Sequence, residues 1–585
     1  MNLSGSLPCV HWARGYNKST LGKDVMASLI VTVMLIPQSL AYSMLAGLPP
    51  VVGLYASIGP LIAYALFGSS RTLSVGPVAV VSLMTAATIS TIATPGSPEY
   101  ASAAIVLAFL SGMFLLLSGV LRLGFLANLL SHPVISGFIT ASGILIAISQ
   151  LKHILGVTAH GHSLSEMVLS LSQQVENTNI FTLAIGVVVI SFLLYTRSSL
   201  QQAMASLGFS KNIAELISKV GPAFAIVIST IVVASLRLDQ QGVNVVGIIP
   251  KGLPELTIPV LDIELWQKLL PAALLISVIG FVESVSVGQT LAAKRRQRID
   301  PDQELIGLGS ANFAAALSSG FPVTGGFSRS VVNYEAGAQT PLAGLFAATG
   351  IALATLFLTP LFKFLPIVTL AATIIVAVLA LIDLQAIQRA WNYSRSDFIS
   401  MMLTIMVTLG VGVEEGVITG VLASLLLHLW RTSRPHLAVV GRVPGTEHFR
   451  NVLRHSVKTD ERILSIRIDE SLYFANARFL EDSIYQLVAN NKRVEHVVLM
   501  CSAINEIDGS ALESLESINE HLRESAVTLH LSEVKGPVMD RLKRSHFLEL
   551  MTGQIFLSQH LAVSALSECE IPAAVQELYE KREAS

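Results

Sequence analysis

Phe321-Pro322-Val323-Thr324-Gly325-Gly326-Phe327-Ser328-Arg329-Ser330-Val331-Val332-Asn333 sits among long apolar segments, yet it does not read as an ordinary membrane helix. It carries a proline, two adjacent glycines, two serines and an arginine. In lipid, non-helical backbone is tolerated only where protein buries it or where it lines a cavity. An arginine at that depth is costly unless it has a partner or a task. A surface loop, or the end of an ordinary helix, is the plain alternative. The reading that uses all of these residues is a discontinuous span whose helix N-terminus faces an anion near the membrane midplane.

Composition supports a membrane setting. The 585 residues are 52% hydrophobic and only 13% charged, and the mean hydropathy is +0.63. Soluble proteins carry about 25% charged residues. The net charge of −2 points to no particular partner, and no nucleic-acid partner is expected. Cys9, Cys501 and Cys569 are far apart and suggest neither a disulfide framework nor a metal site. His132, His153, His160 and His162 lack convincing metal-ligand spacing. No cofactor is expected, and no glycine-rich nucleotide loop argues for an enzyme. The polar stretch Met1–Lys23 has no cleavable apolar core, so no signal peptide is expected.

Outward from the opening stretch, the apolar region predicts seven spans in each half. The first half reads as Val25–Leu45, Pro50–Phe67, an interrupted third span, Ala101–Leu121, Leu126–Leu151, Ile180–Tyr195 and Val220–Leu236. The third contains Ser74-Val75-Gly76-Pro77-Val78. Proline is well tolerated in a helix's first turn, so Leu73–Val75 reads as extended and Pro77 as the start of a half-helix. The second half reads as Leu269–Ala293, Gln303–Ser319, the opening stretch, Leu342–Leu358, Leu365–Leu381, Phe398–Leu409 and Val413–Trp430. Matching interruptions in the third span of each half point to inverted repeats and to a transporter's binding site. The expected domains are a cytoplasmic segment at 1–24, a transmembrane domain at 25–430, a linker at 431–460 and a polar domain at 461–585.

Basic residues set the orientation. Lys18, Lys23, Arg71, Arg122, Arg197, Lys211, Lys219, Lys294, Arg295, Arg296, Arg298, Arg389, Arg395, Arg431 and Arg434 fall on one side of this scheme. The other side has Lys152, Arg237, Lys251, Lys268 and Lys363. The positive-inside rule then puts both termini in the cytoplasm, which needs an even number of spans. After Asp460, strand-length apolar runs alternate with helical patterns, as in a small α/β domain with one sheet.

Pro37-Gln38-Ser39-Leu40-Ala41-Tyr42, Leu45-Ala-Gly-Leu-Pro-Pro50, Ser74-Val-Gly-Pro77, Gly280-Phe-Val-Glu-Ser284 and Pro322–Ser330 with Asn333 together resemble the sulfate permease family. Leu472-Tyr-Phe-Ala-Asn476 and Ile507-Asp508-Gly-Ser510 resemble its STAS domain. The resemblance implies fourteen spans in two inverted repeats of seven, divided into core and gate, with an elevator-like movement and a homodimer. It also implies that Gln38 and Tyr42, four residues apart on one helix face, point into an anion pocket. Gly76, Pro77, Val78, Gly326, Phe327, Ser328 and Arg329 would complete that pocket. Polar packing between spans remains the alternative for Gln38 and Tyr42, core packing for Val78, and an ion pair with Glu283 or Glu335 for Arg329.

Glu283 lies mid-span, where a carboxylate is a functional candidate by default. Burial and the nearby arginine act on it in opposite senses, which suits a group that binds and releases a proton. The family's sodium-coupled bicarbonate members carry an aspartate here and a hydroxyl residue four positions later. This chain has Val287 instead, which weakens a sodium reading. In the soluble antagonists that share the STAS fold, the residue after the aspartate is a phosphorylated serine; here it is Gly509, and Ser510 is a weak substitute.

The expected function is proton-coupled uptake of sulfate or a similar oxyanion across a bacterial cytoplasmic membrane. Bicarbonate or dicarboxylate transport, anion exchange, and a membrane sensor signalling through the STAS domain to a cytoplasmic protein partner are the alternatives.

Overall fold

The computed structural model describes residues 8–567 except 14, 129–130, 160, 162, 201–203, 205, 207–210 and 251. His160, His162, Lys251 and Cys569 of the sequence reading lie outside the described residues, as do the side chains of Lys211 and Lys219. The chain divides into two compact units, Met1–Ser424 and Leu425–Ser585.

Among the described residues, the first unit is helical apart from one short strand pair and an isolated bridge between Val245 and Pro366. Several of its helices begin where the sequence supplies a capping side chain. Ser97 accepts from the Tyr100 N–H ahead of Pro98, opening α4, and Asp300 accepts from the Asp302 and Gln303 N–H groups ahead of Pro301, opening α10. In chain order the elements are α1 (Lys18–Leu45), α2 (Pro50–Phe67), β1 (Val75–Gly76), α3 (Ala79–Ile89), α4 (Pro98–Val120), α5 (His132–Leu155), α6 (Leu164–Gln174), α7 (Ile180–Ser198) and α8 (Lys211–Leu236). Then follow α9 (Ile263–Lys294), α10 (Pro301–Leu317), β2 (Thr324–Gly325), α11 (Phe327–Glu335), α12 (Leu342–Phe357), α13 (Ile367–Leu379), α14 (Leu384–Tyr393), α15 (Arg395–Gly410) and α16 (Val413–Ser433).

Among the described residues, eight helices are long and apolar enough to cross a membrane. Large apolar side chains face outward from several of them, including Leu29, Val188 and Leu426. A soluble surface avoids such continuous apolar exposure. The α4–α10 contact is close because its residues are small. A Cβ on Gly112 would lie 2.8 Å from the Phe313 nitrogen, and one on Gly309 would lie 2.7 Å from the Leu116 nitrogen. In lipid, such contacts replace the missing hydrophobic drive between helices.

The structure departs from the sequence reading at the first interruption. Pro77 does not start a half-helix: α3 begins at Ala79, with Val78 extended as its N-cap. The chain stays extended because β1 pairs with β2 and the Pro77 carbonyl is held by Arg329. The amphipathic α6 and α14 were not read from sequence, since neither is long or apolar.

The second unit carries a six-stranded sheet in the order β4-β3-β5-β6-β7-β8. The strands are β3 (Leu437–Arg442), β4 (Phe449–Asn451), β5 (Ile463–Ile468), β6 (His496–Met500), β7 (Thr528–Ser532) and β8 (Ile555–Phe556). Strands β5 to β8 are parallel, and β3 is antiparallel to both of its neighbours. Helices α17 (Ala477–Ala489) and α18 (Gly509–Glu524) cover the sheet with Leu480, Ile484, Leu515, Ile518 and Leu522. Residues 431–460, expected as a linker, instead supply β3 and β4. Their alternation is broken by the Pro444-Gly445 turn, which hides the hairpin from a reading that looks for βα units. Cys501 is buried beside the sheet, and burial pushes its thiol up to about 12.

Candidate functional site

The two interruptions meet. Val75 pairs with Gly325 and Gly76 with Thr324 in antiparallel register, and the Gly326 N–H donates to the Ser74 carbonyl at 3.1 Å. Antiparallel pairing of two-residue strands leaves many backbone groups to satisfy, and side chains from packed helices do so. Asn312 on α10 donates to the Val323 carbonyl at 2.8 Å and accepts from its N–H at 2.9 Å. Ser284 on α9 accepts from the Gly325 N–H at 2.9 Å and lies 2.7 Å from the Thr324 hydroxyl, which donates to the Gly280 carbonyl. The Ser330 hydroxyl accepts from the Ser74 N–H, and Asn333 donates to the Thr72 carbonyl at 3.0 Å.

From this crossing, α3 and α11 lead away, each with its N-terminus at the strand pair. Neither N-cap, Val78 or Gly326, supplies a capping side chain. A buried helix end without capping partners needs another source of acceptors. Both ends carry the partial positive charge of a helix N-terminus.

Arg329 lies between them and is 2% exposed. Its Nη1 donates to the Pro77 carbonyl at 2.5 Å. Its Nε and Nη2 are buried and have no hydrogen-bond partner among the described residues. The guanidinium lies over Gly76, where a Cβ would stand 3.6 Å from Nη2, and against Gly326, where a Cβ would stand 2.9 Å from it. Tyr42 and Glu283 are its titratable electrostatic neighbours.

Glu283 forms no ion pair with Arg329 among the described residues, and its buried Oε2 has no hydrogen-bond partner. Tyr42 is 9% exposed on α1, which packs against both α3 and α11. Gln38, one turn earlier, is half-buried. Val78 is buried at the mouth of α3. Phe327 and Ser328 open α11 and are exposed. The structure thus brings Tyr42, Gly76, Pro77, Glu283, Gly326 and Arg329 together, with Val78, Phe327 and Ser328 at the helix starts.

The arrangement offers a buried cation with two free N–H groups beside two uncapped helix ends. It can hold a compact anion. Sequence reasoning named Ser284, Ser330 and Asn333 only as motif letters and passed over Asn312. The available signal was an amide inside a helix otherwise rich in Gly, Ala and Leu.

Residues 21–404 match the sulfate permease family and residues 454–562 match the STAS domain. The chain is 37% identical over 570 residues to "Probable sulfate transporter 4.2" of Arabidopsis thaliana, covering 95% of this chain and 83% of that protein. A solved structure of SLC26A9 superposes with a TM-score of 0.87 at 23% identity, covering 96% of this chain and 92% of that one. The transmembrane domain of a cyanobacterium bicarbonate transporter, BicA, superposes with a TM-score of 0.59 at 22% identity, covering 70% of this chain and 98% of that one.

Proposed function

This chain belongs to the sulfate permease family, and on that premise we propose that it carries sulfate, or a closely similar oxyanion, inward together with protons. It is an anion transporter with a helical membrane domain and a STAS domain, and its relatives are transporters rather than enzymes. The observation that carries the substrate reading is Arg329, buried with two unpartnered N–H groups between two uncapped helix ends. A tetrahedral oxyanion would accept from those donors, and Gln38, Tyr42 and Ser328 would complete its shell. The name of the Arabidopsis relative favours sulfate over bicarbonate; the likeness to BicA speaks only to fold.

Moving a dianion against an inside-negative potential costs about 2.3 kcal/mol per charge for each ~100 mV. Proton symport offsets that cost, and Glu283 is the group that would carry the proton. Its unpaired Oε2 can take a proton without breaking an existing bond. Val287, buried one turn later, offers no oxygen to a sodium ion.

We further propose fourteen spans in two inverted repeats, with α1–α8 less the amphipathic α6 answering α9–α16 less the amphipathic α14. The pairing of β1 with β2 supports that symmetry. Both termini would then be cytoplasmic. An elevator-like movement of the core against the gate and a homodimer complete the proposal, with the STAS domain as a dimer or partner module. The bacterial assignment gains no support, since the relative named above is a plant protein.

The test is uptake by purified protein in liposomes. Labelled sulfate and bicarbonate are offered with and without an inward proton gradient, using wild type and Glu283→Gln. Proton-driven sulfate uptake that Glu283→Gln uncouples is the expected result. Sodium-dependent bicarbonate uptake that ignores the proton gradient would overturn both the substrate and the role of Glu283.

A further inference from the structure

A second cationic site lies in the STAS-containing unit. A pocket of about 420 Å³ is lined by His436, Arg450, Asn451, Arg454, His455, Arg467 and Asp469. Its geometry is built by the hairpin that replaced the expected linker. Strand β3 pairs Ala438 with Arg467 on β5, and the Asp469 N–H donates to the His436 carbonyl at 3.0 Å. The opposite wall is the turn after β4. There the Asn451 carbonyl accepts from the N–H groups of both Arg454 and His455 at 3.1 Å, which sets these two basic residues on one rim.

The charges in this pocket do not cancel. Asp469 is the one carboxylate in the lining, and Arg467 already holds it through Nε at 2.5 Å and Nη2 at 3.1 Å. His436 Nδ1 lies 2.8 Å from Asp469 Oδ2, the oxygen that Arg467 Nη2 also reaches. Arg450 and Arg454 make no ion pair or side-chain hydrogen bond among the described residues. Two guanidinium charges therefore remain uncompensated, with His455 beside them. Paired guanidiniums at a concave surface match the fork geometry of phosphate-type oxyanions.

Along the chain, the first residue of the pocket follows closely on the end of α16. α16 ends at Ser433, and the Arg434 guanidinium lies 4.5 Å over the ring of Trp430, which is 62% exposed. Tryptophan and arginine at the end of a span mark the lipid–water interface. His436 follows Arg434 by two residues, at most about 7 Å of chain. Leu453, between the two free arginines in sequence, is 90% exposed, and its N–H is held by the Asn451 side chain at 2.8 Å. An exposed leucine flanked by arginines suits an acyl-chain boundary better than open water.

We propose that this pocket binds a phosphate-type dianion, with an anionic phospholipid headgroup as its source, and so ties the STAS domain to the membrane surface. The site is separate from the transport site and does not depend on which anion is carried. Its effect on exchange can be read locally. The full-length protein is placed in nanodiscs of phosphatidylcholine alone, of phosphatidylcholine with phosphatidic acid, or of phosphatidylcholine with inorganic phosphate in the buffer. Amide hydrogen exchange is followed at residues 449–455, with α18 as the internal control.

Phosphatidic acid should slow exchange at 449–455 several-fold, and Arg450→Gln with Arg454→Gln should abolish the slowing while α18 stays unchanged. Equal slowing by inorganic phosphate, lost in the same double variant, would support the anion chemistry and assign it to a soluble source. No slowing in either arm, or slowing that survives the double variant, would overturn the site.

Discussion

Arg329 is the residue on which the proposed transport site turns. A buried guanidinium with two unmet donors is a costly arrangement, and on the proposed reading an anion between the helix ends would offset it. Gly326 controls its position. A methyl group added there would stand about 3 Å from the guanidinium, so Gly326→Ala should push Arg329 off the Pro77 carbonyl without breaking a backbone bond. Hydrogen bonds to charged groups contribute about 1.5–3 kcal/mol. Sulfate affinity of the purified variant, measured by calorimetry on folded protein, should therefore fall about tenfold or more. Unchanged affinity would remove Arg329 from the site. The arginine was legible in the sequence because nothing in a lipid-embedded helix excuses it. Ser284 and Thr324 were harder to read, because hydroxyls in membrane helices commonly bond back to their own backbone. Thr85, Thr88 and Ser277 do so here, and sequence does not separate the two cases.

At the scale of elements, the crossing of β1 and β2 is held by side chains from α9 and α10 rather than by strand length. Asn312→Ala would leave both backbone polar groups of Val323 unmet, at about 1–3 kcal/mol each. Thermal unfolding in detergent should show a clear loss of stability, whereas a melting temperature equal to wild type would mean that water or slack in the strand replaces Asn312. The interruptions themselves were visible in the sequence through Gly76-Pro77 and Gly325-Gly326. The two-residue delay before α3 was not, because it depends on the Arg329–Pro77 bond across 252 residues.

In the sheet, His530 is buried on β7, its Nδ1 accepting from the Gln554 N–H at 3.0 Å. Burial, with a smaller contribution from His496, pushes it down to about 4. An unfolded histidine titrates near 6.5, so the folded state binds fewer protons between those values. Its stabilising contribution is complete above roughly pH 6.5 and is lost as the pH falls toward about 4. Exchange protection of the β7 amides in the full chain should decline across that window, and His530→Gln should flatten the decline. An identical slope in the variant would assign the effect to another group.

For the whole molecule, the division into an apolar helical domain and a polar α/β domain followed from composition alone. The sheet's antiparallel edge did not, because β3 and β4 are short and sit in a charged stretch. If the STAS domain is a regulatory module and not the output of a sensor, truncation after Arg434 should leave sulfate binding to the membrane domain intact. Loss of binding in a truncated protein that still folds would favour the sensor reading. The most direct test of the central claim is labelled sulfate uptake by full-length protein in liposomes, comparing wild type with Arg329→Gln at equal reconstitution. Saturable uptake by wild type, with the variant at the level of protein-free liposomes, is the predicted result. Wild-type uptake by Arg329→Gln would contradict an anion site between the two half-helices.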